Sequence, residues 1–173
     1  QTVNILAIGT TARLSGGTPT QYLQEHGTTN KKPVPGIEFP DGVDTGVVIM
    51  FPTPKSYGGG PLDFQIHWAQ SKSEAVGQIG NNVRWRIRAV SLASGDSFDT
   101  AMGAYVVQAD AKTEEDRLEI TAEFTVTPGN SPAHSELMIV EIERNGPDTD
   151  DTLDSNVVLI AAAMKYTATA AVD

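Results

Sequence analysis

Hydrophobic and polar residues alternate with a period of two in four stretches of the chain. In residues 83–90 the apolar and basic positions alternate as Val83, Arg84, Trp85, Arg86, Ile87, Arg88 and Ala89. Residues 62–68, 118–126 and 138–143 alternate in the same way. This period is typical of a β-strand with one buried face and one solvent face. The pattern therefore predicts four such strands, with Trp68 and Trp85 on buried faces.

Shorter apolar stretches add further strands. Residues 47–51 are apolar at every position, which predicts a strand buried on both faces. Residues 104–107 and 157–166 are also strand candidates, and turns rich in Gly, Pro and Asn separate the strands. No long stretch has the period of an amphipathic helix. The sequence thus predicts an all-β fold of seven or eight strands, arranged as an antiparallel sandwich or barrel.

The first 36 residues differ in composition from the rest of the chain. They are rich in Gly, Pro and Thr, and they contain too little apolar surface to offset the entropy of ordering them alone. We therefore predict an extended N-terminal arm over residues 1–36 and a β-sandwich domain over residues 37–173. Such an arm either stays flexible or is ordered by a neighbouring molecule, which would bury its apolar side chains. These predicted docking residues are Ile5, Leu6, Ile8, Leu14, Tyr22 and Leu23.

The overall charge and the absence of cysteine exclude several classes of function. The chain has 12 Lys and Arg against 22 Asp and Glu, a net charge of −10. A free nucleic-acid-binding protein normally has a basic surface, so no nucleic-acid partner is expected. No stretch of about 18 apolar residues is present, so no membrane span is expected either. With no cysteine there is no disulfide, no thiolate metal site and no cysteine nucleophile.

Charges of opposite sign lie on the outer faces of the predicted strands. Arg84, Arg86 and Arg88 form a basic stripe, and Glu141 and Glu143 lie on the outer face of another strand. Each opposite-charge pair across two antiparallel strands contributes about 0.2–1 kcal/mol, so the main effect is on the choice of partner strand and register. Two interpretations stay open: the glutamates neutralise the stripe in solvent, or the stripe docks onto an acidic partner.

Residues typical of catalysis are scattered along the sequence. His26, His67 and His134 lie in separate segments, and no hydrolase or metalloprotease motif accompanies them. We therefore predict that the chain is not an enzyme and uses no cofactor. An acidic loop is a weak candidate for a calcium site, because Ca²⁺ prefers carboxylate oxygens, although the loop lacks the glycine and glutamate of an EF-hand. Its residues are Asp148, Asp150, Asp151 and Asp154; the alternative is an acidic turn in solvent.

Four motifs, in this order along the chain, resemble small β-sandwich structural proteins of tailed bacteriophages, of the head-decoration or tail-fibre type. They are LDFQIHWA at 62–69, VRWRI at 83–87, GDSFD at 95–99 and DTDDTL at 148–153. The resemblance covers roughly residues 37–166, and it implies a jelly roll, a homotrimer on the virion and no catalytic residue.

From the resemblance we expect a capsid decoration (cement) protein, assembled in the host cytoplasm, that binds the major capsid protein. One alternative is a tail-fibre or baseplate component that contacts other tail proteins. Another is a carbohydrate-binding module, which would need an exposed aromatic platform, and the predicted burial of both tryptophans argues against it.

Overall fold

A computed structural model describes residues 2–5, 17–72 and 77–169, with only the backbone described for residues 2–5. This part of the chain contains eleven strands and no helix, and thus no helix that could span a membrane. The strands are β1 (Thr2–Ile5), β2 (Thr20–His26), β3 (Lys32–Phe39), β4 (Asp44–Pro52), β5 (Tyr57–Gln70), β6 (Asn82–Leu92), β7 (Val106–Ala111), β8 (Glu119–Ile120), β9 (Phe124–Val126), β10 (Leu137–Asn145) and β11 (Val157–Ala168).

The strands form two antiparallel sheets that pack face to face. A seven-stranded sheet has the order β2-β3-β11-β5-β8, with β1 beside β11 and β9 beside β5, and a four-stranded sheet has the order β4-β10-β6-β7. The pairs are nested: β3 pairs with β11, β4 with β10, β5 with β8 and β9, and β6 with β7. This nested pairing of early strands with late strands is the jelly-roll arrangement. The predicted antiparallel β-sandwich of jelly-roll type is confirmed.

The core lies between the two sheets and contains the predicted inward-facing residues. Trp68 and Trp85 are fully buried, as expected, with ring centroids 6.5 Å apart. Phe39 packs against Trp85 with its centroid 5.5 Å away. The prediction that residues 47–51 are buried on both faces is wrong, because β4 is an edge strand and the outward-facing Met50 is exposed.

The predicted strand at residues 118–126 is divided into β8 and β9, which is one reason why there are more strands than the predicted seven or eight. Thr121 takes part in this break: its Oγ1 accepts a hydrogen bond from Ile66 N, and its own N donates to Ile66 O, both at 3.0 Å. Before the break the predicted faces are reversed. Glu119 is buried and Ile120 is exposed, because the Glu119 carboxylate accepts hydrogen bonds from Thr113 N at 2.7 Å and Thr113 Oγ1 at 2.8 Å.

Part of the predicted arm belongs to the seven-stranded sheet. Strand β2 pairs with β3, and residues 37–39 of β3 pair with β11. The hairpin lies close against β11, since a Cβ atom at Gly36 would be 2.4 Å from Val158 Cγ1. Tyr22, predicted to bury against a neighbour, is instead buried within its own chain, whereas Leu23 is exposed.

Three of the predicted docking residues of the arm, Leu6, Ile8 and Leu14, lie outside the described part of the chain. For Ile5 only the backbone is described, and it belongs to β1. The division of the chain at residue 36 stays a prediction.

Candidate functional site

A ladder of ion pairs covers the outer face of the four-stranded sheet. Arg86 lies directly opposite Glu143, and Arg88 lies opposite Glu141. Arg88 Nε donates to Glu141 Oε2 at 2.5 Å, and Arg86 Nε donates to Glu143. Arg86 also pairs with Asp44, at 3.1 Å between Nη2 and Oδ2. Of the two interpretations, this pairing favours the one in which Glu141 and Glu143 neutralise the stripe, and it does so for two of its three arginines.

Tyr105 completes this ladder. The guanidinium carbons of Arg86 and Arg88 lie 4.6 Å and 4.3 Å from the centroid of its ring, within the range of cation–π attraction. Burial, together with the nearby Glu143 carboxylate, raises the pKa of Tyr105 well above its ordinary value. The phenol therefore stays neutral, and its ring is already in contact with two cations of its own chain.

The third arginine of the stripe contacts the acidic loop. Arg84 lies 3.7 Å from Asp148 and 3.6 Å from Asp150, measured between guanidinium nitrogens and carboxylate oxygens. Asp151 is bound by the buried Arg144, and the Asp154 carbonyl accepts a hydrogen bond from Gln78. In the described ranges no three acidic or histidine side chains are grouped as a metal site would require, and the four aspartates are not brought together as one set of ligands. Their loop is instead held by arginines.

Arg144 is the centre of a buried polar network that sequence analysis missed. Its guanidinium donates to both Asp151 oxygens, at 2.7 Å and 3.0 Å, and to Asp41 Oδ1 at 2.8 Å. It also donates to the Leu153 and Ser155 carbonyls, each at 2.6 Å. The network fastens the loop between β10 and β11 to the turn before β4. The sequence signal that could have revealed this buried arginine is the period of two, which places residue 144 on the inward face of β10.

A second polar cluster lies at one end of the sandwich. His26 Nδ1 is 2.9 Å from Asp116 Oδ1, and His26 Nε2 is 2.8 Å from the Tyr22 hydroxyl. The Tyr22 hydroxyl accepts a hydrogen bond from Lys72 N at 3.0 Å. The His26 ring therefore lies between the Asp116 carboxylate and the Tyr22 hydroxyl. We call Tyr22, His26, Lys72 and Asp116 the clasp.

The clasp resembles an Asp–His–hydroxyl triad in its order of hydrogen bonds. However, Tyr22 is buried, and its burial raises the pKa of the phenol, which keeps the hydroxyl protonated. Burial of Asp116 favours its neutral form, but hydrogen bonds from Gly27 N and from Lys72 lower its pKa overall. The clasp therefore fastens the β2–β3 hairpin to the segment before β8, a contact between residues almost 90 positions apart that no local pattern signals.

A small cavity lies in the core between the sheets. Its volume is about 10 Å³, which is room for no more than one water molecule. Only apolar residues line it: Ile49, Phe51, Phe64, Val140, Ala162 and Met164. It has no contact with the clasp or with the ladder.

Comparisons with known proteins add little to these observations. No protein-family model matches the chain, and no curated protein matches it. One solved structure with some likeness is TmCBM61 in complex with beta-1,4-galactotriose. The likeness spans 76% of this chain and 70% of that one, with 7% sequence identity and a TM-score of 0.39. At this level it carries no argument about this chain.

Proposed function

We propose that this chain is a non-catalytic structural protein of a bacteriophage virion, a capsid decoration protein that binds the major capsid protein as a homotrimer. The observation that carries the proposal is the position of the four motifs that resemble phage β-sandwich proteins. They occupy β5, β6, the loop after β6 and the loop between β10 and β11 of a jelly roll. The jelly roll is the fold that the resemblance implies.

The ion pairs and hydrogen bonds of the ionisable side chains support a structural role. Glu141 and Glu143 are paired with arginines across the ladder, and Asp151 is paired with Arg144 in the core. His26 is held between Asp116 and Tyr22 in the clasp. These groups stabilise the fold and fix its loops, so they are not free to bind and transform a substrate.

The contact with the shell is proposed to lie at the N-terminal hairpin. Leu23 projects from the edge strand β2 with 71% of its surface exposed. An apolar side chain on an exposed edge strand is well placed to bury against another protein. Arg84, Arg86 and Arg88 are less suited to an acidic partner, because each already faces a carboxylate of its own chain.

Co-sedimentation of the full chain with capsids that lack it tests this proposal. We expect the chain to pellet with capsids, and Leu23→Lys to pellet much less. Ile79→Lys is the matched control, because Ile79 is 60% exposed on a loop outside the hairpin. Deleting residues 1–36 is a poorer test, since it removes β1, β2 and most of β3.

Purified tails provide the second arm of the experiment. A chain that pellets with tails and not with capsids would support the tail-fibre or baseplate alternative. A chain that pellets with neither would overturn the proposed virion role. The carbohydrate-binding alternative has less support, because both tryptophans are buried and the Tyr105 ring is contacted by two guanidinium groups.

A further inference from the structure

Lys112 is a buried lysine that belongs to neither the ladder, the Arg144 network nor the clasp. It is 2% exposed, and a lysine is seldom buried to this extent unless its amine is paired. Its Nζ donates to the side-chain carbonyl oxygen of Gln70, to the Gly77 carbonyl and, at 2.8 Å, to Glu115 Oε1. The amine therefore lies against both a carboxamide and a carboxylate.

Lys112 and Gln70 face each other between the two sheets. Side chains alternate along a strand, so Gln70 continues the inward face of β5 two residues beyond Trp68. Lys112 directly follows β7, two residues beyond Asp110. Trp68 Nε1 donates to Asp110 Oδ2 at 2.7 Å, so the contact of Gln70 with Lys112 is the next link between the same two strands.

Hydrogen bonds hold both groups in place. The Gln70 carboxamide directs its oxygen to Lys112 and its nitrogen to the Ser155 hydroxyl, at 2.9 Å. The Lys112 backbone is fixed as well, because its N–H donates to Asn81 O at 2.9 Å and its carbonyl accepts from Gly80 N at 2.8 Å. Two groups held in contact react far faster than the same groups free in solution, because the entropy of bringing them together has already been lost.

We infer that Lys112 and Gln70 form an isopeptide bond that joins the two sheets. The Lys112 ammonium first gives one proton to the Glu115 carboxylate, which leaves the neutral, nucleophilic amine. Nζ then attacks Cδ of Gln70, so that the Nζ–Cδ bond forms and the Cδ–Nε2 bond breaks. Nε2 leaves as ammonia after taking a second proton from Nζ, and Glu115 returns the first proton to this ammonia. One carboxamide and one ammonium thus become one secondary amide and one ammonium ion, with no other reactant.

Such a bond is a covalent link between the sheets of a chain that has no cysteine for a disulfide. A cross-link between distant residues stabilises a fold mainly by restricting the unfolded chain. The inference goes beyond the proposed function and does not depend on it, because it rests on the contacts of Lys112 alone.

Mass spectrometry of the full chain tests the inference. We expect the denatured wild-type chain to be lighter than its sequence by the mass of one ammonia molecule. Trypsin does not cleave after an acylated lysine, so we expect peptide 56–72, which contains Gln70, to be joined to peptide 89–117, which contains Lys112. An unlinked chain would give peptides 56–72 and 89–112 separately.

Three variants assign the roles of the side chains. Lys112→Arg is expected to have the full mass of its sequence, because a guanidinium stays protonated and is not a nucleophile. Glu115→Met removes the proton acceptor and is expected to lower the linked fraction. Lys165→Arg is the matched control, because Lys165 pairs with Glu123 at the surface, and it is expected to lose ammonia as the wild type does.

The wild-type measurement decides the question even if a variant does not fold. A wild-type chain with the full mass of its sequence would overturn the inference, and so would a loss of ammonia without the joined peptides. Equal linked fractions in the wild type and Glu115→Met would overturn the role given to Glu115. The virion role fails separately, since a chain that binds neither capsids nor tails can still contain the bond.

Discussion

Replacing Arg144 by methionine is expected to destabilise the fold severely. Methionine keeps a long apolar stem and removes the guanidinium, which donates five hydrogen bonds. Asp151, whose side chain is also fully buried, would lose its cation, and among the described residues it would keep the hydrogen bond from Arg84 N at 3.1 Å. The Leu153 and Ser155 carbonyls would lose the donor that Arg144 supplies.

The size of the effect follows from the uncompensated charge. Removing one partner of a buried ion pair costs about 3–5 kcal/mol, because the other charge stays buried without compensation. Each buried carbonyl that loses its donor adds to this cost, so we expect the upper half of the range, about 4–5 kcal/mol. A domain of this kind has a free energy of unfolding of about 5–15 kcal/mol, so the variant should retain only a small free energy of unfolding.

Urea unfolding, followed by the fluorescence of Trp68 and Trp85 at one fixed protein concentration, measures this loss. The double variant Arg144→Met, Asp151→Leu removes both charges of this buried pair and is expected to lose less than the sum of the two single variants. Arg117→Met is the control, because its pair with Glu114 is exposed, and we expect a loss below about 0.5 kcal/mol. A loss below about 1 kcal/mol for Arg144→Met, or strict additivity in the double variant, would refute the reasoning.

Three further predictions concern the protonation of two aspartates and the binding of calcium. Burial raises the pKa of Asp110 despite its hydrogen bond from Trp68, so the ionised carboxylate lowers the stability of the fold at neutral pH. The Asp110→Asn variant should therefore unfold at a higher temperature than the wild type at pH 7, and this gain in melting temperature should shrink as the pH falls. Asp116 has a lowered pKa, so the stability that it contributes at neutral pH is lost in acid. Asp116→Asn should therefore be destabilising at pH 7, and the loss of stability should shrink as the pH falls. Identical pH profiles for the Asp110 and Asp116 variants would contradict both assignments. Calcium or a chelator should leave the melting temperature unchanged, because Arg84 and Arg144 already hold the loop carboxylates, and a calcium-dependent rise would show the loop to be a binding site.

Local alternation of side chains was enough to predict most of the sandwich. Residues 62–68 and 83–90 lie in β5 and β6 with the predicted residues inward, because a strand with one buried face has no other way to arrange them. The pairing of Glu141 and Glu143 with the arginine stripe followed from charge alone.

Features that depend on distant contacts were not predictable in this way. The reversed faces at Glu119 and Ile120 depend on the hydrogen bonds of Glu119 to Thr113 and of Thr121 to Ile66. Strand β2 has an arm-like composition and forms by pairing with β3, where the clasp also fastens it. Arg144 continues the inward series of β10, but a buried arginine is acceptable only once Asp41 and Asp151 are brought to it.

Electron cryomicroscopy of capsids incubated with the full chain tests the proposed virion role most directly. We predict added density on the outer surface of the shell, into which the jelly roll fits as a trimer. The density should be absent when the Leu23→Lys variant is used. Capsid maps that are the same with and without the wild-type chain would contradict the account.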